Sequence, residues 1–280
     1  MKDAIPPGNE QQVLWNGAAA QAWIDARDVL DQMFRPFEDL LVAAVLASGA
    51  RRVLDIGCGT GGTTLAIARR LGAAGDALGV DISEPMIAVA RTRAAAEAST
   101  AVFVSADAET HRFEPPPYDA IVSRFGVMFF ADPDRAFTNI RLGAGKEAVL
   151  TCIAWRSAKE NPFMTTAERA AAPLLPNIPP RRSDGPGQFA WADDGKVARI
   201  LGDSGWSRIA IEPLDVICAF PRPALDRYVT RLGPLGPVLR EADETTRGRV
   251  VDAVRAGFEP YMRDDEVRFT AACWIVRASA

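Results

Sequence analysis

A glycine-rich segment, Arg51–Gly62 with the sequence RRVLDIGCGTGG, carries the residue types and spacing best suited to binding a ligand. An apolar run ends at Asp55, and an apolar helix pattern follows the glycines Gly57, Gly59, Gly61 and Gly62. Strand, glycine turn and helix in this order form the unit from which nucleotide-binding α/β sheets are built. Glycines let bare main chain approach a ligand, and the helix N-terminus adds free N–H groups. The segment therefore predicts a site for a nucleoside or nucleotide.

Asp55, two positions before the first glycine, distinguishes two kinds of ligand. A carboxylate at this place repels a pyrophosphate and attracts a positively charged group. S-adenosylmethionine meets this requirement because it carries an ammonium and a sulfonium but no phosphate. Gly57, Gly59 and Gly62 also satisfy the GxGxxG pattern of dinucleotide sites, so a nicotinamide or flavin cofactor stays an alternative at this point.

The run D-I-G-C-G-T-G, residues 55–61, resembles the cofactor loop of class I S-adenosylmethionine-dependent methyltransferases. The resemblance covers about residues 40–155 closely and the end of the chain by topology alone. Within this family, the chain is most similar to the small-molecule branch that includes ubiquinone/menaquinone-type and natural-product methyltransferases. The resemblance implies that S-adenosyl-L-methionine is the cofactor.

Two further acids follow predicted strands. Asp81 lies in the segment Ala77–Ser83, about twenty residues beyond the glycine turn, where an acid can take both ribose hydroxyls of an adenosine. The resemblance implies that Asp107 accepts from the adenine amino group and that the N–H of Ala108 faces the ring. Met86 either packs on the adenine or belongs to the core. The expected cofactor-binding residues are Asp55, Gly57, Cys58, Gly59, Gly61, Asp81, Ile82, Met86, Asp107, Ala108 and Ser123.

The predicted fourth strand, Tyr118–Ser123, runs into a segment that should line the place of methyl transfer. Ligands of open α/β sheets lie beyond the carboxyl ends of the strands, at the switch between the first and fourth strands. Arg124 either anchors an anionic or carbonyl-bearing acceptor or pairs with an acid that fixes the loop. The expected acceptor-binding residues are Trp15, Trp23, Arg124, Phe125, Met128, Trp155 and Phe163.

The sequence offers no obvious paired base, so the catalytic residue is left unknown. In-line attack on a sulfonium methyl group needs a close, aligned nucleophile and exclusion of water. We therefore predict methyl transfer to an oxygen, nitrogen or carbon of a small, partly apolar acceptor. His111, the only histidine, could act as a base, but it lies in a loop away from the predicted acceptor region, which favours a structural or solvated role.

Two alternatives come from other functional classes. A protein with this fold could bind S-adenosylmethionine without turnover. A nicotinamide-dependent oxidoreductase is disfavoured by Asp55 and by the absence of a Tyr-x-x-x-Lys pair.

Composition excludes several classes of protein. With 280 residues, 48% hydrophobic and 24% charged, the chain is an ordinary globular protein, and its net charge of −4 argues against a general nucleic-acid binder. Its four cysteines are scattered without a CxxC pair, so we expect reduced thiols and no metal site. The segment Met1–Gly8 lacks a signal-peptide pattern, and the longest apolar runs are too short to span a bilayer. We expect a cytoplasmic enzyme acting on a small molecule, and a homodimer is left open.

The predicted fold is a single α/β domain with a Rossmann-like, mostly parallel seven-stranded sheet whose last strand is antiparallel. The N-terminal helices should break at Pro36. The predicted parts are a helical cover (1–48), a cofactor-binding core (49–155), a variable substrate cover with the last core helix (156–206), and the last two strands (207–280) with a helical insertion at about 222–262.

Overall fold

The computed structural model of the chain describes residues 10–114, 117–175, 178, 185–233 and 235–280. Its strands are β1 (Arg52–Ile56), β2 (Asp76–Asp81), β3 (Val102–Ser105), β4 (Tyr118–Arg124), β5 (Ala144–Trp155), β6 (Ser207–Pro221), β7 (Met262–Arg263) and β8 (Glu266–Ser279). They form one sheet in the order β3-β2-β1-β4-β5-β8-β6, with β7 paired to β8. Part of the predicted substrate cover, residues 176–177 and 179–184, lies outside the described residues.

The sheet confirms the predicted Rossmann-like class. β1 pairs in parallel with β2 and β4, β2 with β3, and β4 with β5. β8 is inserted antiparallel between β5 and β6. The described part of the chain has eight strands rather than the predicted seven, because β7 forms a two-residue hairpin with the start of β8. A strand of two residues is too short to give an alternating pattern in the sequence.

Helices cover both faces of the sheet and the carboxyl ends of its strands. In the described residues the α-helices are α1 (Glu10–Trp15), α2 (Ala18–Asp25), α3 (Arg27–Ser48), α4 (Gly62–Leu71), α5 (Glu84–Ala96), α6 (Pro133–Gly143), α7 (Pro162–Ala171), α8 (Asp194–Asp203), α9 (Leu225–Arg231), α10 (Leu235–Glu241) and α11 (Glu244–Phe258). The last three form the expected insertion between β6 and β8. None of the helices described is long and apolar enough to cross a membrane.

The predicted break at Pro36 is wrong, because α3 continues through it for 22 residues. Proline has no N–H group, so the carbonyl of Gln32 loses its helical donor at this position. The helix persists because apolar side chains on both sides of the proline are buried. These side chains are Met33, Phe34, Phe37 and Leu41. Gly49, in the left-handed conformation with φ 70°, ends the helix.

Asn161, immediately before α7, joins this helix to β8. Its side-chain amide donates to the carbonyl of Ala272 at 2.9 Å, and its Oδ1 accepts from the N–H of Ala272 at 2.9 Å. Asn161 is 1% exposed, so water cannot replace these bonds. The side chain thus pairs with β8 as a neighbouring strand would and fixes where α7 begins.

We expect Asn161→Ala to lower the free energy of unfolding by about 2–3 kcal/mol, because the buried N–H and C=O of Ala272 lose their partners. Chemical denaturation would measure the change. Thr165→Ala on the same helix removes an exposed hydroxyl bond to the carbonyl of Pro162 and serves as the control, with a loss below about 0.5 kcal/mol. Equal losses for the two variants would contradict the anchoring role of Asn161.

Candidate active site

The glycine loop between β1 and α4 lies at the carboxyl end of the sheet. Gly57, Gly59 and Gly61 all have positive φ, at 67°, 56° and 84°. The backbone N–H groups of Gly57 and Cys58 donate to the carbonyl of Val80, which ties the loop to β2. A Cβ on Gly59 would meet only the sulfur of Met86, at 3.8 Å, so the main chain here is open to a ligand.

The three carboxylates expected at strand ends surround one cleft, which we call the glycine-loop cleft and which consists of two adjoining cavities. The first is lined by Asp81 and Asp107, and the second is lined by Asp55. Their volumes, including the space open to solvent, are about 840 Å³ and about 540 Å³. A concave cleft with a few converging polar groups suits a small-molecule ligand. Of the expected cofactor-binding residues, the first cavity is lined by Gly57, Gly59, Asp81, Ile82, Met86, Asp107 and Ala108, and the second by Asp55, Gly57, Cys58, Gly59 and Met86.

Gly61 and Ser123 line neither cavity. A Cβ on Gly61 would fall 2.7 Å from the ring of Phe103, so this glycine permits packing against β3. The hydroxyl of Ser123 donates to the carbonyl of Ile56 at 2.7 Å and accepts from the N–H of Gly126 at 3.2 Å. In this structure both residues hold the shape of the loop.

Asp81 at the end of β2 has a role within the protein that sequence reasoning missed. Its Oδ2 accepts from the N–H of Gly59 at 2.8 Å, and its Oδ1 accepts from the N–H of Ser83 at 2.9 Å. Burial raises the pKa of the Asp81 carboxyl, and these backbone hydrogen bonds oppose the rise. The carboxylate therefore positions the glycine loop as well as lining the cleft.

Asp55 at the end of β1 is 1% exposed, and one of its two carboxylate oxygens has a hydrogen-bond partner among the described residues. Its Oδ2 accepts from the hydroxyl of Thr64 at 2.6 Å, whereas Oδ1 has no hydrogen-bond partner among the described residues. Burial raises the pKa of Asp55 to about 7, although the Thr64 hydroxyl and the charge of Arg124 act to lower it. The buried Oγ1 of Thr63 in the same cavity also lacks a partner among the described residues. The second cavity therefore presents polar atoms suited to a bound polar group.

Arg124 lies between the two cavities and faces acids of the protein itself. Its guanidinium carbon is 5.7 Å from the centre of the Phe34 ring, and Nη1 donates to the Phe34 carbonyl at 3.5 Å. Its charge lowers the pKa values of Asp55 and Glu38 against the larger effect of their burial. This arrangement supports the interpretation that Arg124 fixes the loop. Arg124 also lines both cavities, where it can contact a ligand.

The aromatic residues expected to bind an acceptor divide between two places. Trp15 and Phe125 line the glycine-loop cleft, whereas Trp155 and Phe163 line a separate third cavity of about 730 Å³. Trp23 borders all three cavities.

Met128 lies away from the cavities described above. It is 1% exposed, and its sulfur accepts from the N–H of Trp155 at 3.4 Å. Methionine at this position supports the end of β5.

Comparison with known proteins finds methyltransferases. Residues 53–142 match the family model described as "Methyltransferase domain". A demethylmenaquinone methyltransferase of Thermobifida fusca is 28% identical over 66% of this chain and 84% of its own length. One from Thermus thermophilus is 35% identical over 34% of this chain and 43% of its own length. Residues 53–142 form a class I S-adenosylmethionine-dependent methyltransferase domain.

Solved structures agree on the fold of the methyltransferase. The magnesium protoporphyrin IX methyltransferase of Synechocystis, solved with bound S-adenosylhomocysteine, superposes with a TM-score of 0.55 at 14% identity, over 98% of this chain and 99% of that one. The matched methyltransferase domain supports S-adenosyl-L-methionine as the cofactor, as the sequence resemblance implied.

Several residues of the methyltransferase that hold the cleft together were missed in the sequence. Arg93 on α5 donates to the carbonyl of Thr60 at 2.8 Å and pairs with Asp31 of α3 at 2.9 Å. Asn16 donates to the carbonyl of Ile82 at 3.1 Å and accepts from the N–H of Glu84 at 3.0 Å. These contacts join residues more than 30 positions apart, so no local pattern indicates them.

Two further observations concern the rest of the described chain. No group of three His, Cys, Asp or Glu side chains in it could hold a metal ion. His111 lies edge-on to Phe113, with ring centres 5.2 Å apart, and borders none of the cavities described above.

Proposed function

We propose that this methyltransferase moves the methyl group of S-adenosylmethionine to an oxygen, nitrogen or carbon of a small, partly apolar acceptor. The observation that carries the proposal is the buried, unpartnered Oδ1 of Asp55 beside an open glycine loop. A buried carboxylate oxygen without a donor is costly unless a ligand completes it. An ammonium group, as in the methionine part of the cofactor, is a suitable partner.

The residues of the glycine-loop cleft fit the remaining parts of this cofactor. Asp81 would take the ribose hydroxyls, and Asp107 with the N–H of Ala108 would hold the adenine edge. Ile82 and Met86 offer apolar surface to the base. When bound, the cofactor supplies a methyl group already activated on a sulfonium. The protein's part is then to hold the acceptor near, aligned and away from water.

The aromatic side chains between the glycine-loop cleft and the third cavity support a partly apolar acceptor. Phe34, Phe125 and Trp155 form one cluster, with Phe125 stacked on Trp155 at 4.5 Å and Phe34 at 5.1 Å from Phe125. Relatives named for demethylmenaquinone agree with this choice.

Titration calorimetry with S-adenosylmethionine and S-adenosylhomocysteine tests the donor assignment, and the absence of binding by both would overturn it. Release of S-adenosylhomocysteine that depends on added phenols, amines and enolisable carbonyl compounds tests turnover. Donor binding without release on any of them would favour a binding protein, and quenching of reduced nicotinamide dinucleotide fluorescence would favour an oxidoreductase.

Asp81→Ala should weaken S-adenosylhomocysteine binding by about 1.5–3 kcal/mol, because the ribose hydroxyls lose a charge-assisted acceptor and Gly59 loses its anchor. Calorimetry at constant pH measures the change. Asp76→Ala, at the exposed opposite end of β2, is the matched control and should leave the affinity within about twofold. An unchanged dissociation constant for Asp81→Ala would show that the ribose lies elsewhere.

A further inference from the structure

The third cavity lies outside the glycine-loop cleft and is built from both ends of the chain. Its walls come from α2, α3, the end of β5, α7, the insertion helices α9–α11, and β8. All of these elements lie outside residues 53–142, the part that matches the methyltransferase family model. The cavity therefore lies outside the part of the chain that matches the family model.

A single layer of side chains separates this cavity from the glycine-loop cleft. Trp23, Leu30 and Phe34 border both the third cavity and the second cavity of the cleft. Beside them, Phe125 on the cleft side stacks on Trp155 on the other side, with ring centres 4.5 Å apart. A molecule in the third cavity would thus lie next to the place where the proposed function puts the methionine end of the donor.

An ion pair joins α2, which carries Trp23, to the insertion helix α9 on the other side of the cavity. Asp25 at the end of α2 pairs with Arg231 at the end of α9 at 3.1 Å. Trp23 is half-buried, whereas Phe34, Phe125 and Trp155 are all less than 9% exposed. Trp23 is therefore the side chain in this layer with the most freedom to move aside.

The lining defines the chemistry of the occupant. Most of it is apolar, and the rings of Phe163 and Phe269 form a stacked face with centres 3.6 Å apart. Glu168 is the one charged residue among the described lining residues, and its Oε1 is 3.9 Å from where a Cβ would sit on Gly233, at the turn between α9 and α10. The end near Trp155 and Phe34 is aromatic. Flat apolar molecules gain most from such walls.

We propose that the cavity between α7 and the insertion helices is the acceptor chamber, and that it binds an uncharged, apolar, ring-bearing molecule. When Trp23 moves aside, the reacting atom of this molecule reaches the donor in the cleft. This inference rests on the proposed function. A concave site lined mainly by apolar and aromatic side chains, next to a cofactor cleft, is typical of a small-molecule binding site. The chamber holds the acceptor, and the cleft holds the donor.

N-phenyl-1-naphthylamine, a neutral two-ring probe whose fluorescence rises in apolar surroundings, tests the chamber. The probe should bind at one site and stay bound when S-adenosylhomocysteine saturates the cleft. Ala167→Phe projects a ring into the chamber from α7 and should weaken probe binding about tenfold or more, while S-adenosylhomocysteine affinity stays within about twofold. Arg169→Phe, exposed on the same helix, is the matched control and should bind the probe as the unchanged protein does.

Leu232→Trp, at the end of α9, fills the chamber from the opposite wall and replaces Ala167→Phe if that variant does not fold. Displacement of the probe by S-adenosylhomocysteine would place it in the cleft and overturn the inference, as would unchanged probe binding in a folded chamber-filling variant. For any acceptor found by the release assay, the filling variant should raise KM about tenfold. Failure of S-adenosylhomocysteine to bind overturns the proposed function separately, whatever the probe does.

Discussion

S-adenosylhomocysteine should bind roughly 100-fold more weakly at pH 5 than at pH 8, because Asp55 must lose its proton to meet the ammonium of the ligand. The pKa of Asp55 is raised to about 7, so the carboxyl is mostly protonated at pH 5 and mostly ionised at pH 8. Below pH 7 each unit of acidification should cost about tenfold in affinity. Calorimetry across this pH range in buffers of equal ionic strength measures the effect.

Three charged groups influence Asp55 and could add to the pH dependence. They are Arg124, Asp81 and Glu38, and burial raises the pKa values of the two carboxyls. Asp55→Asn isolates the contribution of Asp55, since binding should become weaker and lose most of its dependence on pH between 6 and 8. Asp194→Asn, the same chemical change at the start of α8 and far from the cleft, should leave the pH profile unchanged.

A ligand control separates the ammonium from the rest of the cofactor. 5′-Methylthioadenosine has the nucleoside and the sulfur but neither ammonium nor carboxylate, so its affinity should vary much less with pH. A flat pH profile for S-adenosylhomocysteine, or equal profiles for the two ligands, would mean that Asp55 does not face the ammonium.

The cleft could be predicted from the sequence because its main parts are local. Asp55 and its glycines lie within eight residues of each other, and Asp81 and Asp107 each follow a short apolar run. Parallel strands bring their carboxyl ends to one edge of the sheet, so acids at strand ends converge once the strand order is known. The loop-shaping roles of Ser123 and Gly61 could not be predicted, since they depend on contacts with Ile56 and Phe103 on other strands of the sheet.

Other features depend on packing between distant segments. Pro36 predicts a helix break by local rules, yet buried side chains on both sides of it keep α3 continuous. Trp155 and Phe163 could be assigned to an acceptor site by type, but their separation from Trp15 into another cavity depends on the insertion helices. Aromatic residues in a sequence indicate apolar contact without indicating which cavity they border.

Gly126→Ala should destabilise the protein by about 3 kcal/mol, although the backbone of Gly126 (φ −78°, ψ −39°) permits alanine. A Cβ on this residue would fall 2.7 Å from the Cα of Gly57 and 2.7 Å from the carbonyl oxygen of Ile56. Both are main-chain atoms at the end of β1, a strand held by neighbours on both sides, so neither can move aside. Displacing β1 would also shift the glycine loop, and S-adenosylhomocysteine affinity should fall about tenfold or more.

Gly187→Ala is the matched control, because a Cβ there would meet no atom within 4 Å and the φ of Gly187 is not positive. Replacing glycine by alanine at a compatible position restricts the unfolded chain, so this variant should gain up to about 1 kcal/mol. Urea denaturation of the two variants should therefore give changes of opposite sign. A stability for Gly126→Ala equal to that of the unchanged protein would show that β1 and β4 can separate at their carboxyl ends. The inference that a rigid contact there positions Asp55 and the loop would then be wrong.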